Sequence, residues 1–203
     1  MRPILRPAYT GPAITDYKSY LSSLLTAYGN YCSYCERMDK VDVEHVVPKS
    51  HARHLEVDWH NLLLGCPRCN RDFKKNRNTS RVGYVWPDED NTYTLLKYHA
   101  DGRVEPAAGL PRPLQKRVLA TLNLVCLDDS TKVQKPLCLG RRTAFQIAEM
   151  VKQNYLAGNQ TLEEIKDFVR AGHWSVWYTV FRDIPEVMRA LAELHPNTDI
   201  HRV

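Results

Sequence analysis

Cys32-Ser-Tyr-Cys35 and Cys66-Pro-Arg-Cys69 form two pairs of thiols with two residues inside each pair and 30 residues between the pairs. Two intervening residues let both thiolates of a pair turn onto one ion, and four thiolates complete the tetrahedral site that zinc prefers. With every position filled by protein, such a zinc is structural: it stitches the two ends of the intervening segment together and activates no water. The spacer exceeds the roughly 15–20 residues usual in small zinc modules, so it must house two strands and a loop. Six cysteines in a chain without a secretion signal argue against a disulfide framework. The other two, Cys126 and Cys138, stand alone in apolar surroundings and read as buried small hydrophobes.

Reactive groups belong where such a zinc holds segments close. The strand-like stretch "VDVEHVV" contains Glu44-His45, Asn61 opens "NLLLG", and Asn70 directly follows the last knuckle cysteine. Positive charge gathers beside them. From Cys66 to Arg81 lie Arg68, Arg71, Lys74, Lys75, Arg77 and Arg81 against one acid, Asp72, a local net of +5. The whole chain carries +5 with a pI near 8.9. A concentrated basic window of this kind points to nucleic acid or another phosphate, against the blander reading of a solvated helix face. His51, His54 and His60 read as surface loop residues, with His51 or His54 placed to touch a phosphate.

The order "DVEHVVPKS…WHNLLLGCPRCN…K", over about Tyr31 to Arg77, resembles the HNH (ββα-metal) nuclease motif in its zinc-ribbed form. The resemblance implies metal-dependent hydrolysis of phosphodiester bonds, in DNA with RNA not excluded. It implies His45 as the general base, with Asn61 orienting the His45 ring through its amide oxygen and bracing the loop. It implies Glu44 and Asn70 as ligands of a catalytic divalent cation, Mg²⁺ or Mn²⁺, and Arg71, Lys74, Lys75 and Arg77 as the grip on phosphates. Two positions depart from the family pattern. Glu44 stands where Asp or His is commoner, and Phe73 stands where a basic residue is common, leaving that part to Lys74 or Arg71. The later order of a "YHADGRVEP" hairpin, an "LNL" helix and a helix opened by Arg141-Arg142 is similar to the PtuB-like HNH subunit of Septu- and retron-type anti-phage defence systems. That likeness implies an ATPase partner subunit. Two rival readings are a non-catalytic zinc-knuckle nucleic-acid-binding module and a toxin- or effector-type nuclease.

These side chains need an α+β scaffold: a zinc-stapled ββα unit in the N-terminal half and a mostly helical C-terminal part. The chain divides into a helical segment at 1–30, the HNH core at 31–80, a hairpin and linker at 81–113, and a helical region at 114–203. Apolar spacing predicts a helix from Ala13 to Ala27 stopped by Gly29-Asn30 and strands at Val41–Val47 and Asn61–Gly65, while the polar, basic stretch Arg68–Asn78 reads as a helix start. A hairpin turns at Ala100-Asp101-Gly102, and a Pro- and Gly-rich linker covers Glu105–Pro113. Helices follow at Leu114–Leu124, Arg141–Leu156, Leu162–Val169 and Trp174–Leu194, the last interrupted at Pro185. The aromatic run "HWSVWYTVF" reads as core or interface. At 203 residues, 43% hydrophobic and 25% charged, the composition is that of a soluble globular protein. No run reaches the roughly 18 apolar residues of a membrane span, and the N-terminus lacks the pattern of a signal peptide. The cytosol is the default location.

Overall fold

The computed structural model describes residues 1–202. Its N-terminal half is built on a hairpin of two four-residue strands, β1 (Asp42–His45) and β2 (Leu62–Gly65), paired antiparallel with Asp42 opposite Gly65 and His45 opposite Leu62. Both strands are shorter than their apolar runs. Pro48 cannot continue a ladder, and Asn61 belongs to a tight turn, Trp59–Asn61, that delivers the chain into β2. The run Leu62–Leu64 is wholly buried, whereas the sheet has only two strands, so β1 keeps one unpaired edge.

The predicted helix over Arg68–Asn78 is a single π-helical segment, Arg68–Lys74, here called the knuckle helix. Its closing bond runs from the Lys75 N–H to the Asn70 carbonyl at 2.7 Å, five residues back, and such wide turns are frequent at functional sites. Lys75 then takes φ 52° and ψ −126°, which ends the helix outright. The first helix also differs from its apolar pattern. Asp16 accepts from the Lys18 N–H and starts a 3₁₀ turn at Tyr17–Tyr20, which runs into α1 (Leu21–Tyr28). Residues 11–14 form no helix. Gly29, at φ 88°, closes α1 with an N–H bond to the Leu25 carbonyl.

A one-turn α2 (Thr92–Leu95) precedes the hairpin β3 (Leu96–Tyr98) and β4 (Val104–Pro106), which turns at the predicted Asp101-Gly102. The C-terminal part is helical: α3 (Arg112–Leu124), α4 (Pro136–Leu156), α5 (Leu162–Arg170), α6 (Trp174–Val180) and α7 (Pro185–Leu194). α4 begins five residues earlier than Arg141 because Pro136 suits a first helical turn and Asp129 accepts from the Leu137 and Cys138 N–H groups at 3.0 and 2.7 Å. The aromatic run is core: Trp174, Trp177 and Tyr178 are buried, and Trp174 stacks on Tyr178 at 4.5 Å. Cys126 and Cys138 are buried as expected.

The same apolar cluster contains α1, both strands of the zinc hairpin, and α6 and α7. Glu36, just after the first knuckle, accepts from the Ser175 hydroxyl and N–H at 2.6 and 3.0 Å. The helical part therefore holds the first knuckle from behind.

Candidate functional site

The four knuckle thiols are buried, and their sulfurs lie within 4.8 Å of one another. Zinc–sulfur bonds of about 2.3 Å in a tetrahedron require sulfurs about 3.8 Å apart. Cys35 Sγ and Cys66 Sγ stand 3.8 Å apart. Burial pushes the Cys32 thiol well above its ordinary pKa, and hydrogen bonding, first to Cys32, raises Cys69. The same neighbours donate toward Cys66 and hold it low. Crowded together out of water, four thiolates need a dication beside them to ionise together. Donor type, spacing and burial all fit a structural zinc.

Beside this centre a cavity of about 750 Å³ runs along the open edge of β1, between the Tyr17–Tyr20 turn and the knuckle helix. Tyr17, Asp42, His45, Asn70, Arg71 and Lys75 are among its walls. His45 is the last residue of β1. Its Nε2 lies 2.9 Å from the Glu56 carbonyl oxygen. A carbonyl only accepts, so Nε2 carries the proton and Nδ1 keeps its lone pair. The Tyr17 ring meets the imidazole edge-on at 4.6 Å. Burial lowers the His45 pKa, which keeps the ring neutral near pH 7 and able to take a proton.

Several predicted positions serve other purposes than the motif implies. Asn61 does not touch the His45 ring. Its Oδ1 accepts from the Val47 N–H at 2.8 Å, and its Nδ2 donates to the Val47 and Leu55 carbonyls at 2.9 and 3.3 Å. It braces the loop, as expected, while the Glu56 carbonyl orients the ring. Glu44 is sealed away from the cavity. Tyr34 donates to its Oε2 at 2.6 Å, and the Lys74 ammonium lies 2.6 Å from its Oε1. Lys74 is 1% exposed and also donates to the His45 carbonyl at 2.7 Å. As placed, Glu44 and Lys74 pair with each other, and neither lines the cavity.

The basic window is likewise mostly occupied. Arg68 binds the Val125 and Cys126 carbonyls and Asp129. Arg77, expected on a phosphate, donates to Phe73 and to the Asn123 and Leu124 carbonyls at the end of α3. Arg81 pairs with Asp88 and Glu89. Only Arg71 and Lys75 face the cavity, and the sequence reading missed the cations of the other wall, Lys18 and Lys49. The sole hint of Lys49 was its place just after the "EHVVP" stretch. His51 reaches the Asn76 carbonyl at 2.8 Å, whereas His54 and His60 are exposed outside this cavity.

Residues 32–76 match the family model described as HNH endonuclease. Over 86 residues the chain is 44% identical to the Septu protein PtuB of Bacillus thuringiensis, a match covering 39% of this chain and 33% of that protein. The matched stretch is about a third of that relative's length. The matched domain contains every knuckle cysteine together with Asp42, Glu44, His45, Asn61, Asn70, Arg71, Lys74 and Lys75.

Proposed function

Taking residues 32–76 as an HNH endonuclease domain, we propose that the protein is a divalent-metal-dependent endonuclease that hydrolyses phosphodiester bonds in DNA. The observation that carries this reading is His45: a neutral imidazole on a 750 Å³ cavity, its Nε2–H fixed on the Glu56 carbonyl and its Nδ1 left basic. In this reading Nδ1 takes a proton from a water whose oxygen attacks phosphorus, and the bond from phosphorus to the 3′ oxygen breaks. Lys18, Lys49, Arg71 and Lys75 attract the backbone into the cavity from both walls. Asn70, on the cavity wall, is one oxygen donor for the cation, which when bound stabilises charge on the phosphate and the leaving oxygen.

The likeness to PtuB supports a place in anti-phage defence, beside an ATPase partner subunit. Among the described residues no helix is long and apolar enough to cross a membrane. The rival binding module has one observation in its favour, the sealed Glu44–Lys74 pair. Supercoiled plasmid incubated with Mg²⁺, Mn²⁺ or EDTA separates the two. Divalent-dependent cleavage that disappears in EDTA supports the nuclease, and tight binding without cleavage under any cation supports the module.

A further inference from the structure

We propose that the cavity continues beyond His45 into an apolar subsite for an unstacked nucleobase, so that the substrate is DNA with unpaired bases beside the scissile phosphate. This names the substrate class of the endonuclease reading and rests on it. A second hollow, of about 570 Å³, adjoins the first. Leu21 of α1 is a wall of both, and the lining passes from Asp42 in one to the preceding residue, Val41, in the other. Leu25, Met38, Asp39 and Lys40 also line the second hollow. Val41 precedes His45 by four residues, at most about 13 Å of extended chain. Stacked nucleotides advance 3.4 Å each along a strand, so the subsite lies within roughly four nucleotides of the reacting phosphate.

The two hollows differ in charge. The first gathers Lys18, Lys49, Arg71 and Lys75 against Asp42, which suits a phosphate backbone. In the second, Asp39 and Lys40 offset each other, leaving the apolar Leu21, Leu25, Met38 and Val41. A nucleic-acid strand joins these two chemistries in one molecule, anionic phosphates and flat bases. Within a duplex the base faces are covered by stacking, so only an unstacked base can lay a face on side chains. Met38 is placed for that contact. It is 58% exposed, and a thioether packs favourably against an aromatic ring. Its backbone is held from behind, where Arg37 bridges to Gly172. A Cβ on Gly172, whose φ is 122°, would lie 3.2 Å from the Met38 nitrogen and 2.9 Å from the Glu36 oxygen. The missing side chain lets the two segments close, and the exposed thioether is thus presented on a fixed loop.

The test uses the full zinc-loaded chain without added divalent cation, so that binding is read apart from cleavage. Fluorescence anisotropy follows three labelled probes of one length: oligothymidylate, an abasic strand, and a thymidylate–adenylate duplex. The wild type should hold oligothymidylate at least about 5-fold more tightly than the abasic strand, the low end of what one stacked base contributes. Met38→Ala, at an exposed position, should weaken oligothymidylate about 3- to 10-fold, the scale of a sulfur–aromatic contact. The abasic strand and the duplex should stay within about 2-fold, because their phosphate contacts are untouched. The subsite is overturned if Met38→Ala holds oligothymidylate like the wild type, as it would were this face covered by a protein. It is also overturned if all three probes weaken alike, or if the wild type binds none or fails to distinguish bases from their absence. Metal-dependent cleavage by the wild type together with Met38-independent binding defeats the subsite and leaves the nuclease standing. Met38-dependent binding of oligothymidylate without cleavage under Mg²⁺ or Mn²⁺ does the reverse.

Discussion

The β1–β2 hairpin separates a closed side from an open edge. On the closed side four thiols and the Tyr34–Glu44–Lys74 chain are buried, with contacts near 2.6 Å. Along the open edge His45, Asn70 and Asp42 line a cavity whose ion pairs lie between part-exposed groups, Arg71 with Asp42 at 3.8 Å and Lys49 with Glu56 at 2.9 Å. Tightly matched buried charges can maintain geometry but cannot exchange partners cheaply. Loosely matched exposed charges hold little together and can change partner when a ligand arrives. Of the two acids on β1, Glu44 lies on the closed side and Asp42 on the open edge.

The largest effect expected on this division is loss of zinc. Cys66→Ser, or a strong chelator, should remove stabilisation on the order of 10 kcal/mol and abolish the cooperative unfolding transition. A metal-free sample that still melts cooperatively would show that the closed side does not depend on zinc. Next comes Glu44→Gln, which should cost about 3–5 kcal/mol because Lys74 is left charged and unpaired. Adding Lys74→Met should return most of that in chemical denaturation, and failure to recover would mean the pair is not the unit described.

On the open edge, His45→Ala should leave zinc content and unfolding nearly intact while cleavage falls roughly 10²–10⁴-fold. Because burial lowers the His45 pKa, the acid limb of the wild-type rate profile should lie below the ordinary imidazole value of about 6.5. A limb above that value would contradict the burial of the ring.

Acid should also loosen the fold behind the hairpin. Burial depresses His173 and His195 to about 4. Both are neutral in the folded state at pH 6, whereas the unfolded chain gains protons as pH falls through about 6.5. Their contribution is therefore complete above that value and is lost on the way down to about 4, at most about 3 kcal/mol for each. His173→Phe should flatten the stability–pH curve in that window. The smallest effect separates the cations. Arg71→Ala with Lys75→Ala should reduce the salt slope of nucleic-acid binding by nearly 2, while Arg77→Ala should leave it unchanged. A slope that follows Arg77 would return the α3 end to the binding surface.

The zinc site was legible in sequence because two C-x₂-C pairs need no tertiary partner to be understood, and His45 and Asn70 follow from their positions beside it. The uses of charge were not legible. Lys74, Arg68 and Arg77 read as a basic face because their neighbours in sequence are polar. Their actual partners lie 29 to 61 residues away, in Glu44 and the His45 carbonyl, Asp129, and the end of α3. Helix starts erred for a local reason: apolar periodicity does not locate the cap, so the expected helix overran the start at Asp16 and fell short of the one at Pro136.

The clasps on the knuckle helix have a mechanical consequence. Cys66 and Cys69 anchor its start at the thiol cluster, Lys74 pins its end to β1, and Arg68 and Arg77 bolt it to the α3 end. That side of the cavity is a fixed jaw. Across from it, the single turn Tyr17–Tyr20 rests on His45 through one ring and on Lys49 through a cation placed 4.5 Å above that ring. Any change in the width of the opening would therefore fall more readily to this second jaw than to the first, and stiffening the approach to Tyr17 would hold the vice near one width without altering its fixed side.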